Sequence, residues 1–245
     1  MTRVLRIITS ADPRTGGPIE GARRVGEIWA RQGHRQDLLT LDPPDERHLA
    51  DYPGTVFAIG PRRGGGLLHA YRYAPAMVPW LQAHARDYDA VIVSGLWRYA
   101  ARGAMRGLVG RGVPYFVFPH GMLDPWFRER ARLKHCGKQL SWWWAEGRLL
   151  AGAQRVLFTS EEEQLRARQA FRPYRVSATV VAYGTADLGG DLDAVAAAFR
   201  AAMPGVGARF LLFLGRVHPK KGCDLLVAAF AAVAVLVFGA LYKRL

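Results

Sequence analysis

Cysteine is almost missing from this chain: two residues in 245, Cys136 and Cys223. They lie far apart and without metal-ligand spacing, which excludes a disulfide-framed secreted scaffold and a cysteine zinc site. They read as reduced thiols in a cytosolic chain. Acid is also scarce, with 20 Asp and Glu against 34 Lys and Arg and a formal net charge of +14. The N-terminus, MTRVLRIITSADPRTGG, lacks an apolar run long enough for a signal peptide, so the chain is expected to begin in the cytoplasm. Internal repeats are missing too, as is any motif for binding RNA or DNA. What is present is a globular composition, 50% apolar and 11% aromatic, enough for one large core or two modest ones and incompatible with a disordered chain.

The basic excess is spread along the chain with one concentration. From Arg98 to Lys138 nine basic residues face only Asp124 and Glu129. Such a face suits nucleic acid, anionic lipid or a phosphorylated substrate, or simply solvent. Without a nucleic-acid motif, no nucleic-acid partner is expected.

The stretch with the most chemistry is FLLFLGRVHPKKGCDLLVAAF, Phe210 to Phe230. Phe210–Leu214 has the length of a buried parallel strand. Arg216, Lys220 and Lys221 follow in a loop punctuated by Gly215 and Pro219, and Asp224 is placed to cap the next helix. A basic loop entering a helix N-terminus is a place for an anion, because backbone N–H groups and the positive dipole end point into it. Arg216 adds a planar fork and Lys221 a point charge, which suits a diphosphate.

The rest of the chain reads as alternating strands and helices. Val4–Thr9 is a first buried strand, followed by a loop closed by Gly16-Gly17-Pro18 and a helix from Ile19 to about Gln32 with apolar residues at helical spacing. Asp37–Leu41 and Thr55–Ile59 are further strands. Residues 69–86 read as one helix kinked near Pro75 and Pro79. Asp89–Ser94 delivers Trp97, and the strand Pro114–Pro119 delivers His120, to the edge where open α/β sheets bind ligands. Residues 127–150 form a long basic and aromatic segment with three consecutive tryptophans, which cannot all share one helix face. It either packs under the sheet or lies on a membrane surface. Arg155–Thr159 is a strand, Ser160 and Glu163 form a capping box on the helix to Phe171, and Val176–Ala182 is a last strand. The glycine pair Gly16-Gly17 would allow a ligand close to a helix N-terminus.

GRVHPKKGCDLLVAAF closely resembles the donor-binding loop of the family 4 retaining glycosyltransferases, enzymes of the two-domain GT-B fold. FPHGMLDPW is similar to that family's strand-end PHG element, and the Gly16-Gly17 layout resembles its N-terminal loop. The resemblance covers roughly residues 1–232. It implies an α/β GT-B-type protein with a complete doubly wound Rossmann-like domain over 1–184, a connection over 185–208, and the first strand-loop-helix of a second domain over 209–245.

It also implies glycosyl transfer from a nucleoside-diphosphate sugar to a glycan or lipid-linked acceptor, with Arg216 and Lys221 on the diphosphate, His120 near donor sugar and acceptor, and Gly16 and Gly17 facing the cleft. Cationic side chains and helix N-termini would stabilise the departing diphosphate. No residue is assigned a catalytic role, no metal ligand is expected, and no cofactor beyond the sugar-nucleotide substrate.

The family's acidic E-x7-E element has no counterpart, and Leu225–Tyr242 is a run of 18 uncharged residues before Lys243-Arg244. At about 1.5 Å per residue such a helix approaches the minimum for a bilayer span. Val233–Leu245 reads instead as a tail departing from the family, by truncation or a shifted frame. Two other readings stay open: a non-catalytic remnant, and a phosphate-binding module on the inner face of the plasma membrane.

Overall fold

A computed structural model describes residues 1–61, 65–126, 128, 132–182, 184, 189–207, 210–215 and 217–242. The chain divides into two compact units, Met1–Ala186 and Asp187–Leu245.

The first unit is built on seven parallel strands: β1 Arg3–Ile8, β2 Arg35–Thr40, β3 Val56–Ala58, β4 Ala90–Ser94, β5 Tyr115–Phe118, β6 Arg155–Phe158 and β7 Ala178–Val180. They lie in the order β3-β2-β1-β4-β5-β6-β7. The direction of winding therefore reverses between β1 and β4, whose register sets Ile8 beside Ser94. Parallel strands need crossovers, and the helices supply them. These are α1 Gly17–Arg31, α2 Gly66–Tyr71, α3 Met77–His84, α4 Tyr99–Leu108, α5 Arg132–Ser141, α6 Gly147–Gly152 and α7 Glu161–Ala167.

One sheet face carries the larger core. Leu5, Ile7, Leu39, Val91, Val93, Val117, Val156 and Phe158 meet Met77 and Leu81 of α3, Ala100, Ala104 and Leu108 of α4, and Leu149 of α6. Each fully buried Leu or Ile contributes about 1.5–3 kcal/mol of transfer free energy. The other face has a smaller cluster, where Ile8 and Leu38 pack on Ile19 and Ala22 of α1.

Several elements differ from the sequence reading for local reasons. The helix expected over 69–86 is two helices, because Arg72 closes α2 in the left-handed region at φ 59° and Pro75 follows. Pro79 is tolerated because it falls in the first turn of α3. The tryptophan run forms a π-helical turn, Trp142–Glu146, between α5 and α6. It buries Trp142 and leaves Trp143 and Trp144 52% and 70% exposed. The single extra residue per turn rotates the second and third indoles away from the core.

In the second unit, α8 spans Leu192–Ala202, capped by the Asp191 carboxylate on the Asp193 and Ala194 N–H groups. A 3-10 turn, Pro219–Lys221, precedes α9, Cys223–Tyr242. The loop and helix of the expected motif are formed. Phe210–Leu214 carries no strand ladder and every residue of it is exposed. A parallel strand exists only against a neighbour, and the unit has no strand among its described residues. Asp224 lies inside the first turn of α9, which begins at Cys223, two residues earlier than a cap at Asp224 would require. Both cysteines are free thiols. Among the described residues no helix is long and apolar enough to cross a membrane.

Candidate functional site

Where the winding reverses, the loops leaving β1, β4 and β5 part and enclose a cavity of about 460 Å³. This is the position at which open α/β sheets bind ligands. Ser10 and Thr15 line it from the first loop, Arg72 from the end of α2, Ser94 and Arg98 from the β4 side, and His120 from β5. Among the described lining residues there is no carboxylate, so the polar part of the lining is cationic and hydroxylic, set among apolar Ile8, Pro18, Leu96 and Met122.

The backbone at this edge is strained. Among the described residues, three that are not glycine have positive φ: Arg72 at 59°, Trp97 at 67° and His120 at 51°. Two of them line the cavity and the third follows the same strand as Ser94. Left-handed backbone at a bulky residue costs on the order of 1–3 kcal/mol and persists only where surrounding contacts enforce it. At His120 those contacts are visible. Its ring lies flat on Phe118, with centroids 4.5 Å apart and planes 5° off parallel. Behind it, Gly121 takes φ 73° and its N–H donates to the Glu163 carboxylate at 2.6 Å.

That carboxylate corrects the reading of Ser160 and Glu163 as a capping box. Ser160 does cap α7, its hydroxyl accepting from the Glu163 N–H at 3.1 Å. Glu163 does not reach back to Ser160. It accepts from the Thr159 N–H at 2.8 Å, the Thr159 hydroxyl at 2.7 Å and the Gly121 N–H. The side chain therefore ties the end of β6 to the loop carrying His120.

The site also holds His120 neutral. Burial, then the nearby Arg6 cation, push its pKa down to about 4, against a smaller upward pull from Glu163. A neutral imidazole can give or take a hydrogen bond but carries no acidic proton at pH 7. His120 lies at the expected carboxyl edge, but half-buried and not exposed as a surface residue.

Arg6 is the residue the sequence reading passed over. It sits in the central strand, 6% exposed, its guanidinium donating to Gln36 Oε1 at 3.2 Å and the Ser94 hydroxyl at 3.1 Å. A buried cation under the strand ends adds positive potential beneath Ser94 and His120. The signal was present as an arginine inside an otherwise apolar strand, VLRII. Asp42 holds the first loop in place by accepting from the Ala11 N–H at 2.6 Å and the Thr40 hydroxyl at 2.8 Å. Arg72 approaches the same carboxylate at 3.7 Å.

Of the residues expected in the site, Gly16 caps α1 at φ 102° and Gly17 begins it, flanked by the cavity-lining Thr15 and Pro18. A Cβ at either glycine would meet nothing within 4 Å, so the pair leaves open space at the helix N-terminus. Trp97 is at the correct edge but turns from the cavity, donating to the Met122 carbonyl at 3.1 Å and packing on Phe171. Lys221 lies in the second unit, exposed, in the turn before α9. Arg216 lies outside the described residues. The structure thus gathers Gly16, Gly17 and His120 at one edge of the first unit, and describes Lys221 separately. Two Asp-x-Asp triplets have structural partners: Asp89 accepts from the Arg3 N–H at 2.7 Å, and Asp191 caps α8. Among the described residues no three His, Cys, Asp or Glu side chains stand together as a metal site.

Residues 16–184 match the family described as the glycosyl transferase 4-like domain. Sucrose-phosphate synthase from Thermosynechococcus elongatus superposes with a TM-score of 0.63 at 20% identity, over 95% of this chain and 60% of that one. MurG from Acinetobacter baumannii gives a TM-score of 0.46 at 16% identity, over 77% of this chain and 47% of that one. This chain therefore spans about 60% of the synthase chain that it matches. No curated protein sequence matches it.

Proposed function

Because the chain belongs to the glycosyl transferase 4-like domain family, and has the α/β architecture of GT-B proteins, we propose that it serves sugar transfer from a nucleoside-diphosphate donor to a hydroxyl of a glycan or lipid-linked acceptor, with retention at the anomeric carbon. The observation that carries this reading is the cationic cavity at the reversal of the sheet, with neutral His120 held in left-handed backbone at its wall.

Each group has a role that its chemistry suits. Neutral His120 hydrogen-bonds a sugar or acceptor hydroxyl without competing for a proton. The open glycine pair lets a ligand approach the N-terminus of α1, where the dipole favours negative charge. Arg216 and Lys221 hold the diphosphate and stabilise the charge that grows on it as the glycosidic bond breaks. Glu163 acts through His120 as a positioning residue. The site is cytoplasmic in this reading, and the sugar nucleotide is a substrate and not a resident cofactor.

Titration calorimetry with nucleoside diphosphates tests it. Arg216→Ala and Lys221→Ala should each weaken binding by about tenfold or more, the loss of a charge-assisted hydrogen bond. Arg172→Ala, whose side chain is exposed on the first unit, should leave it unchanged. Equal binding by wild type and Arg216→Ala removes the donor-loop assignment.

A further inference from the structure

The helical layer carries a second cavity, of about 440 Å³, apart from the strand-end crevice. It is lined by Gln82 of α3, Arg102 and Arg106 of α4, Arg111 just beyond α4, and Arg148 of α6. Among its described lining residues there is no carboxylate. All four arginines are exposed, and none forms an ion pair among the described residues. Elsewhere the protein does pair its arginines: Arg23 and Arg24 with Glu20 and Glu27, Arg35 with Asp37, Arg166 with Asp124.

The arrangement runs against folding economy. Arg102 and Arg106 are four apart on one helix, a like-charge pair that weakens it. Arg148 is brought to the same hollow from a different helix. Several guanidinium forks converging on one concavity match the tetrahedral oxygens of phosphate, which accept two parallel N–H bonds per fork. Arg102, Arg106 and Arg111, three of the basic residues between Arg98 and Lys138, thus acquire a location, and none of the three lines the strand-end cavity.

We propose that this cavity is a second anion site that takes phosphate groups, either of a free di- or polyphosphate or of the headgroups of an anionic lipid surface. Trp144, 70% exposed in the turn that leads into the helix of Arg148 and four residues before it, is placed to enter an interface in the lipid case, whereas Trp143 donates its indole N–H to the Arg172 carbonyl.

Two probes separate the sources: inorganic pyrophosphate by titration calorimetry, and phosphatidylglycerol against phosphatidylcholine vesicles by co-sedimentation, both at about 0.1 M salt. The variant Arg102→Gln/Arg106→Gln/Arg148→Gln should weaken binding by about tenfold or more. The exposed triple Arg47→Gln/Arg168→Gln/Arg200→Gln removes the same charge elsewhere and should not, and both triples are compared in the Lys221→Ala background as well, where the donor loop makes no contribution. Circular dichroism checks that each variant is folded. Pyrophosphate binding with this pattern assigns free phosphate, and binding to phosphatidylglycerol vesicles alone assigns lipid headgroups. Equal weakening by the two triples reduces the effect to net charge and overturns the site. So does a loss confined to Lys221→Ala, which places the binding in the donor loop, and so does wild type that binds neither probe.

Discussion

His120 combines three unusual conditions: left-handed backbone, a ring stacked flat on Phe118, and a pKa lowered to about 4 by burial and by Arg6. The last has a thermodynamic consequence. Between about 4 and the ordinary 6.5 the unfolded chain binds this proton and the folded chain does not, so stability rises with pH across that window. It is complete above the unfolded value and falls as pH drops toward the folded one, by at most on the order of 3 kcal/mol. Asn tolerates left-handed backbone, so His120→Asn isolates the effect. Urea midpoints of wild type should fall more steeply from pH 7 to pH 4.5 than those of His120→Asn, and parallel slopes would remove His120 as the cause. In an NMR titration Glu163→Gln should lower the His120 midpoint further, because the carboxylate is the one group opposing the shift. The strand-end position of His120 was legible in the apolar run YFVF followed by Pro-His-Gly. Its protonation state was not, since Arg6 and Glu163 come from distant segments.

At the scale of elements, the α3–α4 contact rests on glycine. A Cβ added at Gly107 would lie 2.8 Å from Leu81 Cβ and Cδ1, and one at Gly103 would lie 2.4 Å from Met77 Sδ. Met77 can swing aside, but Leu81 Cβ is fixed to its own helix. Gly107→Ala must therefore part the helices, an overpacking cost of about 1–3 kcal/mol offset by up to about 1 kcal/mol of helix propensity. The expected net loss is about 1–2 kcal/mol, read as a Tm lower by several degrees. Gly137→Ala on α5, where a Cβ meets nothing within 4 Å, should be neutral or slightly stabilising. Equal effects of the two substitutions would show that the contact does not depend on the missing side chain. Helical spacing in the sequence gave no hint of this pairing, because a glycine on a helix is indistinguishable there from a weak point.

For the whole molecule, the two units differ in how well they cover apolar surface. The first buries a continuous sheet core. In the second, Leu211, Leu212 and Leu214 are 61%, 64% and 91% exposed, and Leu225, Val227 and Phe230 of α9 are also largely exposed. Uncovered apolar segments of this kind associate with one another or with another surface. A chain ending at Gly184 should therefore give a larger fraction of soluble monomer than residues 1–245, measured by fractionation and size-exclusion chromatography. A soluble full-length monomer with one cooperative unfolding transition would mean that the second unit has found cover.

The alternation of short apolar runs with amphipathic stretches determined the α/β class by itself, as did the glycine pair at the first helix and the His-Gly after the fifth strand, because these depend on local periodicity and backbone geometry. Strand order did not follow from it. Only the folded sheet sets β1 against β4, and so gathers Ser10, Ser94 and His120 around one cavity. Only the folded sheet turns Arg6 toward Ser94 and brings Glu163 to Gly121, 42 residues away along the chain. Parallel pairing is non-local, so the partners of a buried charge are chosen by which crossovers pack, and a linear pattern carries no record of that choice.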